Sequence, residues 1–169
     1  MPITATDIQY RLSGGAGNAD PNASLGGIMS TTQITTASLH NLFDQVSGDE
    51  AAAGDVEYRG IYVLNNHGTL TWEAVFAWIS SQTSSPDTAL AIALAGEGVN
   101  ATMETIANES TAPVGESFTA PASKAAGLSM GDIAAGQRYG IWIRRTVTAA
   151  AAAFNTDTTI LSTEGDTAA

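Results

Sequence analysis

The residues from Glu57 to Ser80, EYRGIYVLNNHGTLTWEAVFAWIS, limit the fold more than any other stretch. They hold two of the three tryptophans and two of the four tyrosines, and most of the stretch suits a pleated, half-buried surface. Asn65-Asn66-His67-Gly68 interrupts the run with residues that tolerate the positive φ of a tight reversal, which predicts two antiparallel strands around a turn. Beyond it Leu70, Trp72, Ala74, Phe76 and Trp78 alternate with Thr71, Glu73, Val75, Ala77 and Ile79. The first set carries nearly all the bulk, and a period of two assigns it to the core.

Further strands follow from the same period. In ALAIALAGEG, Leu90, Ile92 and Leu94 alternate with Ala89, Ala91, Ala93 and Ala95, giving one large face and one small face that another surface can approach closely. Arg138 to Thr148, RYGIWIRRTVT, places Tyr139, Ile141, Ile143 and Val147 on one face and Arg138, Trp142 and Arg144 on the other. Phe118 to Ala122, interrupted by Pro121, and Thr158 to Thr163 read as short strands, and Val99 to Pro113 as a short strand or a long loop. Gly131-Asp132 and Ala135-Gly136 bracket a turn.

Ser38 to Val46 spaces Leu39, Leu42, Phe43 and Val46 at i, i+3, i+4 and i+7. That fits either one short helix with Ser38 as N-cap or an irregular segment covering an open end of a sandwich. Ser47 to Asp55 reads as a loop, and Ala149 to Ala153 is too short for a stable isolated helix. About seven or eight short strands without helical periodicity or internal repeat predict an all-β protein, an antiparallel β-sandwich of jelly-roll or immunoglobulin-like topology.

Residues 1–36 are rich in Gly, Ser, Thr, Asn and Ala and are broken at Gly14-Gly15, Gly17, Asp20-Pro21 and Gly26-Gly27. They read either as an extended N-terminal arm draped over a neighbouring subunit or as one strand followed by a long loop. The expected organisation is an arm over 1–36 and a sandwich domain over 37–169. On the arm reading, a chain lacking residues 1–27 still folds.

Seventeen acidic residues against six basic ones give a net charge of −11. This disfavours nucleic acid, which is bound through Lys and Arg on phosphates, and anionic membranes. Charged residues make up 14 % of the chain, against about 25 % in an ordinary soluble domain. Short side chains replace them, and a surface of that kind loses little entropy when a partner covers it. With no cysteine, disulfides, thiolate zinc sites and redox motifs are excluded. MPITATDIQYRLSGG has no basic region followed by an apolar run, so no secretory signal is expected, and no segment approaches the roughly 18 apolar residues of a membrane span. The sequons at Asn22, Asn100 and Asn108 read as coincidental in a chain this rich in Ser and Thr.

Catalytic patterns do not emerge. His40 and His67 have no ligand companions at metal spacing, no Gly-x-Ser-x-Gly elbow exists, and Gly14-Gly15-Ala16-Gly17 lacks the Lys-Ser/Thr of a phosphate loop. Asp44, Asp49, Glu50 and Asp55 form the densest acidic cluster, in a loop where oxygen ligands could gather around Ca²⁺, but their spacing does not match a twelve-residue calcium loop and solvated acidic loops are the usual case. No metal, cofactor or catalytic residue is expected. Trp72, Trp78 and Trp142 read as core, or as a sugar platform if their rings are exposed. Arg144-Arg145 points to opposite faces of a strand, one side exposed and one ion-paired.

YRLSGGAGNADPNASLGG (Tyr10 to Gly27), GDVEYRGIYVLNNHGTLT (Gly54 to Thr71) and GDIAAGQRYGIWIRRTV (Gly131 to Val147), in this order, resemble a small family of structural proteins encoded among the head genes of tailed bacteriophages. The resemblance implies a non-enzymatic β-sandwich of the virion, a decoration or cement protein made in the host cytoplasm and carried on the capsid exterior. Its implied partners are the major capsid protein and further copies of itself, as a dimer or trimer. On this reading Tyr10, Arg11, Leu12, Leu25 and Ile28, with Arg144 and Arg145, are the candidate capsid or subunit contacts. A tail, baseplate or connector subunit and a carbohydrate-binding module are the alternatives.

Overall fold

The computed structural model describes residues 2–167; Met1, Ala168 and Ala169, at the outer ends of the expected arm and sandwich, lie outside them. Two antiparallel sheets pack together, as the alternating patterns predict. One has the order β1 (Ile8–Leu12), β3 (Asp55–Asn65), β8 (Arg138–Val147), β5 (Thr88–Leu94). The other has the order β7 (Leu128–Ile133), β4 (Trp72–Ser81), β9 (Ile160–Thr167). Among the described residues a two-stranded ribbon, β2 (Gly26–Gly27) with β6 (Met103–Thr105), completes the strands, and one α-helix, α1 (Gly48–Ala53), precedes β3.

The four-stranded sheet is buried on both faces. Towards the second sheet it contributes Leu12, Ile61, Val63, Ile92, Ile141 and Ile143 to a core completed by Trp72, Val75, Ala77, Ile79, Met130 and Ile133. On its other face Tyr62, Ala93, Ala95 and Trp142 pack against Met103 and Ile106, with Leu25, Met29 and Phe118 alongside. The small-residue face of β5 is therefore filled by this chain's own ribbon and loops. Close approach is required there: a Cβ on Gly140 would lie 2.5 Å from Met103 Cγ, and one on Gly26 would lie 1.9 Å from the Glu104 carbonyl oxygen.

β3 and β4 do not form the expected hairpin. β3 pairs with β1 and β8, β4 with β7 and β9, and residues 66–71 carry the chain as an arch from one sheet to the other. Fully buried Asn65 holds the arch: its Nδ2 donates to Leu70 O and Ile133 O, both at 2.9 Å, and its Oδ1 accepts from His67 N at 3.1 Å. An Asn side chain stands in for strand pairing here, and reversal residues alone do not distinguish the two arrangements.

The core face of β4 also departs from simple alternation. Ala74 adopts φ +48 and the register shifts between Trp72 and Val75 against β7 and between Glu73 and Phe76 against β9, which makes a β-bulge. An extra residue exchanges the faces of everything after it. Trp72 thus faces the core before the bulge, while Val75, Ala77 and Ile79 face it afterwards; Phe76 and Trp78 are half-buried on the outer side.

The leader is a strand and a folded loop rather than an arm. β1 pairs with β3 from Ile8↔Asn65 to Leu12↔Ile61, and residues 30–34 return to cover its other edge, with Leu12 N donating to Thr32 O at 3.1 Å and Ile34 N to Tyr10 O at 2.8 Å. Leu12, Ser13 and Ser24 are buried. Removing residues 1–27 would strip a core strand, so the truncated chain is not expected to fold. Residues 38–46 form no helix; Leu42 is buried and Phe43 packs against the core from the open end. The helix falls instead on the expected loop, where Ser47 and Glu50 form a reciprocal capping box.

Candidate interaction surface and buried charge cluster

Polar side chains fasten the ribbon to the outer face of the four-stranded sheet. Ser13 Oγ donates to Gly60 O at 2.6 Å and accepts from Gly26 N at 3.0 Å. Tyr62 Oη donates to Gly27 O at 2.6 Å and accepts from Met103 N at 2.8 Å. Each of these buried groups has its partner, so the ribbon is held in one position. Above it lies an open cleft of about 370 Å³ lined by Gly14, Gly15, Gly26, Gly27, Ile28 and Met103, among others. Ile28, 57 % exposed, stands at its rim.

The candidate contact residues divide by depth. Leu12 and Arg145 are buried. Tyr10 packs on the core and its hydroxyl meets Thr163 Oγ1 at 2.5 Å, Leu25 packs on the second core, and the Arg144 guanidinium lies 5.3 Å above the Phe118 ring. Arg11, half-buried on β1, donates to Gln9 Oε1 at 2.7 Å. A contact through Leu12 or Arg145 would require opening the sandwich, because both lie inside it. Ile28 and Arg11 are the members left facing outwards. Trp72 and Trp142 are buried at 4 % and 0 % exposure, so the sugar platform loses two of its three rings.

At one end of the sandwich the side chains of β3 change from apolar to ionic. Glu57 and Arg59 lie on the same side of the strand as Ile61 and Val63, and Glu57 is the register partner of Arg145. Arg145 Nε donates to Glu57 Oε2 at 2.5 Å and its NH1 to Asp44 O at 2.7 Å. Arg59 pairs with Glu109 at 2.5 Å. Phe43 sits over both guanidiniums, 5.4 Å from Arg59 and 4.9 Å from Arg145, so the charged layer ends on an aromatic face that cations favour. Burial pushes the Glu57 carboxyl above its ordinary value, against the pull of Arg145 and Arg59. The tight adjacency of Arg144 and Arg145 announced opposite faces; nothing in the sequence announced that Arg145 would be internal.

Among the described residues no helix is long and apolar enough to cross a membrane. His67 is occupied in the arch, where its Nδ1 accepts from Leu70 N at 3.0 Å. One group of carboxylates, Glu50, Asp55 and Glu57, brings oxygens within 4.8 Å of one another. Comparison with protein-family models, curated proteins and solved structures finds no match to this chain.

Proposed function

We propose that this protein is a capsid decoration protein of tailed bacteriophages, binding the outer surface of the head and bridging capsomers. The observation that carries the reading is the fixed ribbon with its glycine-lined cleft and outward Ile28. A pre-ordered surface loses little entropy on binding, and an apolar point beside exposed backbone suits a segment of a neighbouring shell subunit. The sequence resemblance supplies the partner: the major capsid protein, with other copies of the chain as a dimer or trimer. Many equivalent sites on a shell multiply a modest interaction at each one.

The test mixes purified protein with phage heads that lack it and follows co-sedimentation and particle imaging. Binding that saturates at a fixed number of copies per capsomer, raises the temperature at which heads rupture, and falls at least about tenfold for Ile28→Asp is the expected result. Density on tails or baseplates, or no binding to heads, overturns the reading.

A further inference from the structure

We infer that Glu50, Asp55 and Glu57 form a binding site for a divalent cation of the calcium class at the charged end of the sandwich. Their carboxylate oxygens lie within 4.8 Å of one another. Oxygens around one calcium ion, each about 2.3–2.6 Å from it, can be at most roughly twice that distance apart, so the three fit a single coordination sphere. The independent observation is Glu57 itself. Its side chain is 2 % exposed, and Oε1 is buried without a hydrogen-bond partner. Buried carboxylate oxygens are ordinarily satisfied, and an unpaired one in a native interior marks a place for an ion or water.

The two arginines do not fill that role. Arg145 is directed at Glu57 Oε2 and at Asp44, and Arg59 makes its short contact with Glu109, lying 3.8 Å from Glu57 Oε1. Asp44, Glu50, Asp55, Glu57 and Glu109 thus set five carboxylates against two guanidiniums in one region. The excess negative charge is what a cation would neutralise, and hard oxygen donors with no nitrogen or sulfur ligand suit Ca²⁺. Local structure fixes the donors. Glu50 uses Oε2 to accept from Ser47 N at 2.6 Å in the capping box, leaving its other oxygen available. Asp55 and Glu57 are two apart on β3 and so share a face. The acidic stretch that spacing alone marks as solvated thereby gains a buried ligand from the strand that follows it.

The full chain, freed of metal with a chelator, is titrated with CaCl₂ by calorimetry and unfolded by heat with and without CaCl₂ or MgCl₂. One ion per chain, a rise in melting temperature with calcium, and at least about tenfold weaker binding in both Asp55→Asn and Glu50→Gln are expected. Glu97→Gln, remote from the site, retains wild-type binding. Absence of binding heat and of a thermal shift at millimolar calcium overturns the proposal, as does undiminished binding by Asp55→Asn. Both variants lie at the partly exposed rim, and their circular dichroism in metal-free buffer separates lost ligation from lost folding.

Discussion

Glu57 and Arg145 face each other as register partners on β3 and β8, joined by a hydrogen bond of 2.5 Å in a layer where both residues are less than a tenth exposed. An ion pair so placed need not stabilise the fold relative to an apolar pair, but removing one partner strands the other. Arg145→Met is expected to cost about 3–5 kcal/mol in urea unfolding. The double variant Glu57→Met/Arg145→Met should recover most of that loss. A single-variant cost below about 1 kcal/mol would show that water reaches Glu57.

The same carboxyl gives stability an unusual dependence on pH. Its folded-state value lies above the ordinary 4.5 because burial disfavours the charged form more than the arginines favour it. The folded protein therefore holds this proton more tightly than the unfolded chain does. The contribution is fully present below 4.5 and is lost as pH rises through the raised value. Urea unfolding across that interval, compared with Glu57→Gln, isolates it: the difference between the two proteins should shift against the wild type as pH rises. A difference moving the opposite way refutes the direction.

Ala74 holds a left-handed conformation, φ +48, that glycine adopts without steric cost, and its N–H donates to Asp132 Oδ1 at 2.9 Å. Relief of Cβ strain outweighs the added freedom of the unfolded chain when a residue sits in this region. Ala74→Gly should raise stability by about 0.5–1 kcal/mol, whereas Ala74→Val should lower it by about 1–2 kcal/mol. Chemical denaturation of the two variants checks the sign of each.

Glycines under the ribbon should differ in tolerance according to what their added methyl would strike. At Gly26 (φ +85) it meets a backbone carbonyl oxygen at 1.9 Å, and at Gly140 the flexible side chain of Met103 at 2.5 Å. Backbone cannot retreat without breaking the ribbon, but a methionine changes rotamer. Gly26→Ala is therefore expected to cost more than about 3 kcal/mol and Gly140→Ala about 1–3 kcal/mol. Equal melting temperatures for the two would contradict this ordering.

Much of the fold was readable because alternation in β5 and β8 reports side-chain direction without reference to partners. Ile92, Ile141 and Ile143 reach the core as their parity requires. Parity fails in β4 because Ala74 contributes no distinctive side chain to mark the bulge that reverses Phe76 and Trp78. The arch at Asn65 was missed for a different reason: Asn and Gly permit a reversal whether the flanking strands pair or part. Helix α1 did leave a signal, the Ser-x-x-Glu of Ser47 and Glu50, concealed by a stretch too short for helical periodicity. The charge cluster was half visible. Acidic density from Asp44 to Asp55 is plain in the sequence, but Glu57 joins it only through the depth of β3.

The position of β4 between β7 and β9 governs how the chain must mature on the ribosome. Ser80 and Ser162 meet at 2.7 Å although 82 residues separate them. Translation therefore has to reach β9, from Ile160 onwards, before the run WEAVFAWI finds its second neighbour. Until then a sticky strand is bare, and pairing over such sequence separation is slow. Yields of native protein should consequently favour cool, slow expression, when nascent chains are few and chaperones plentiful.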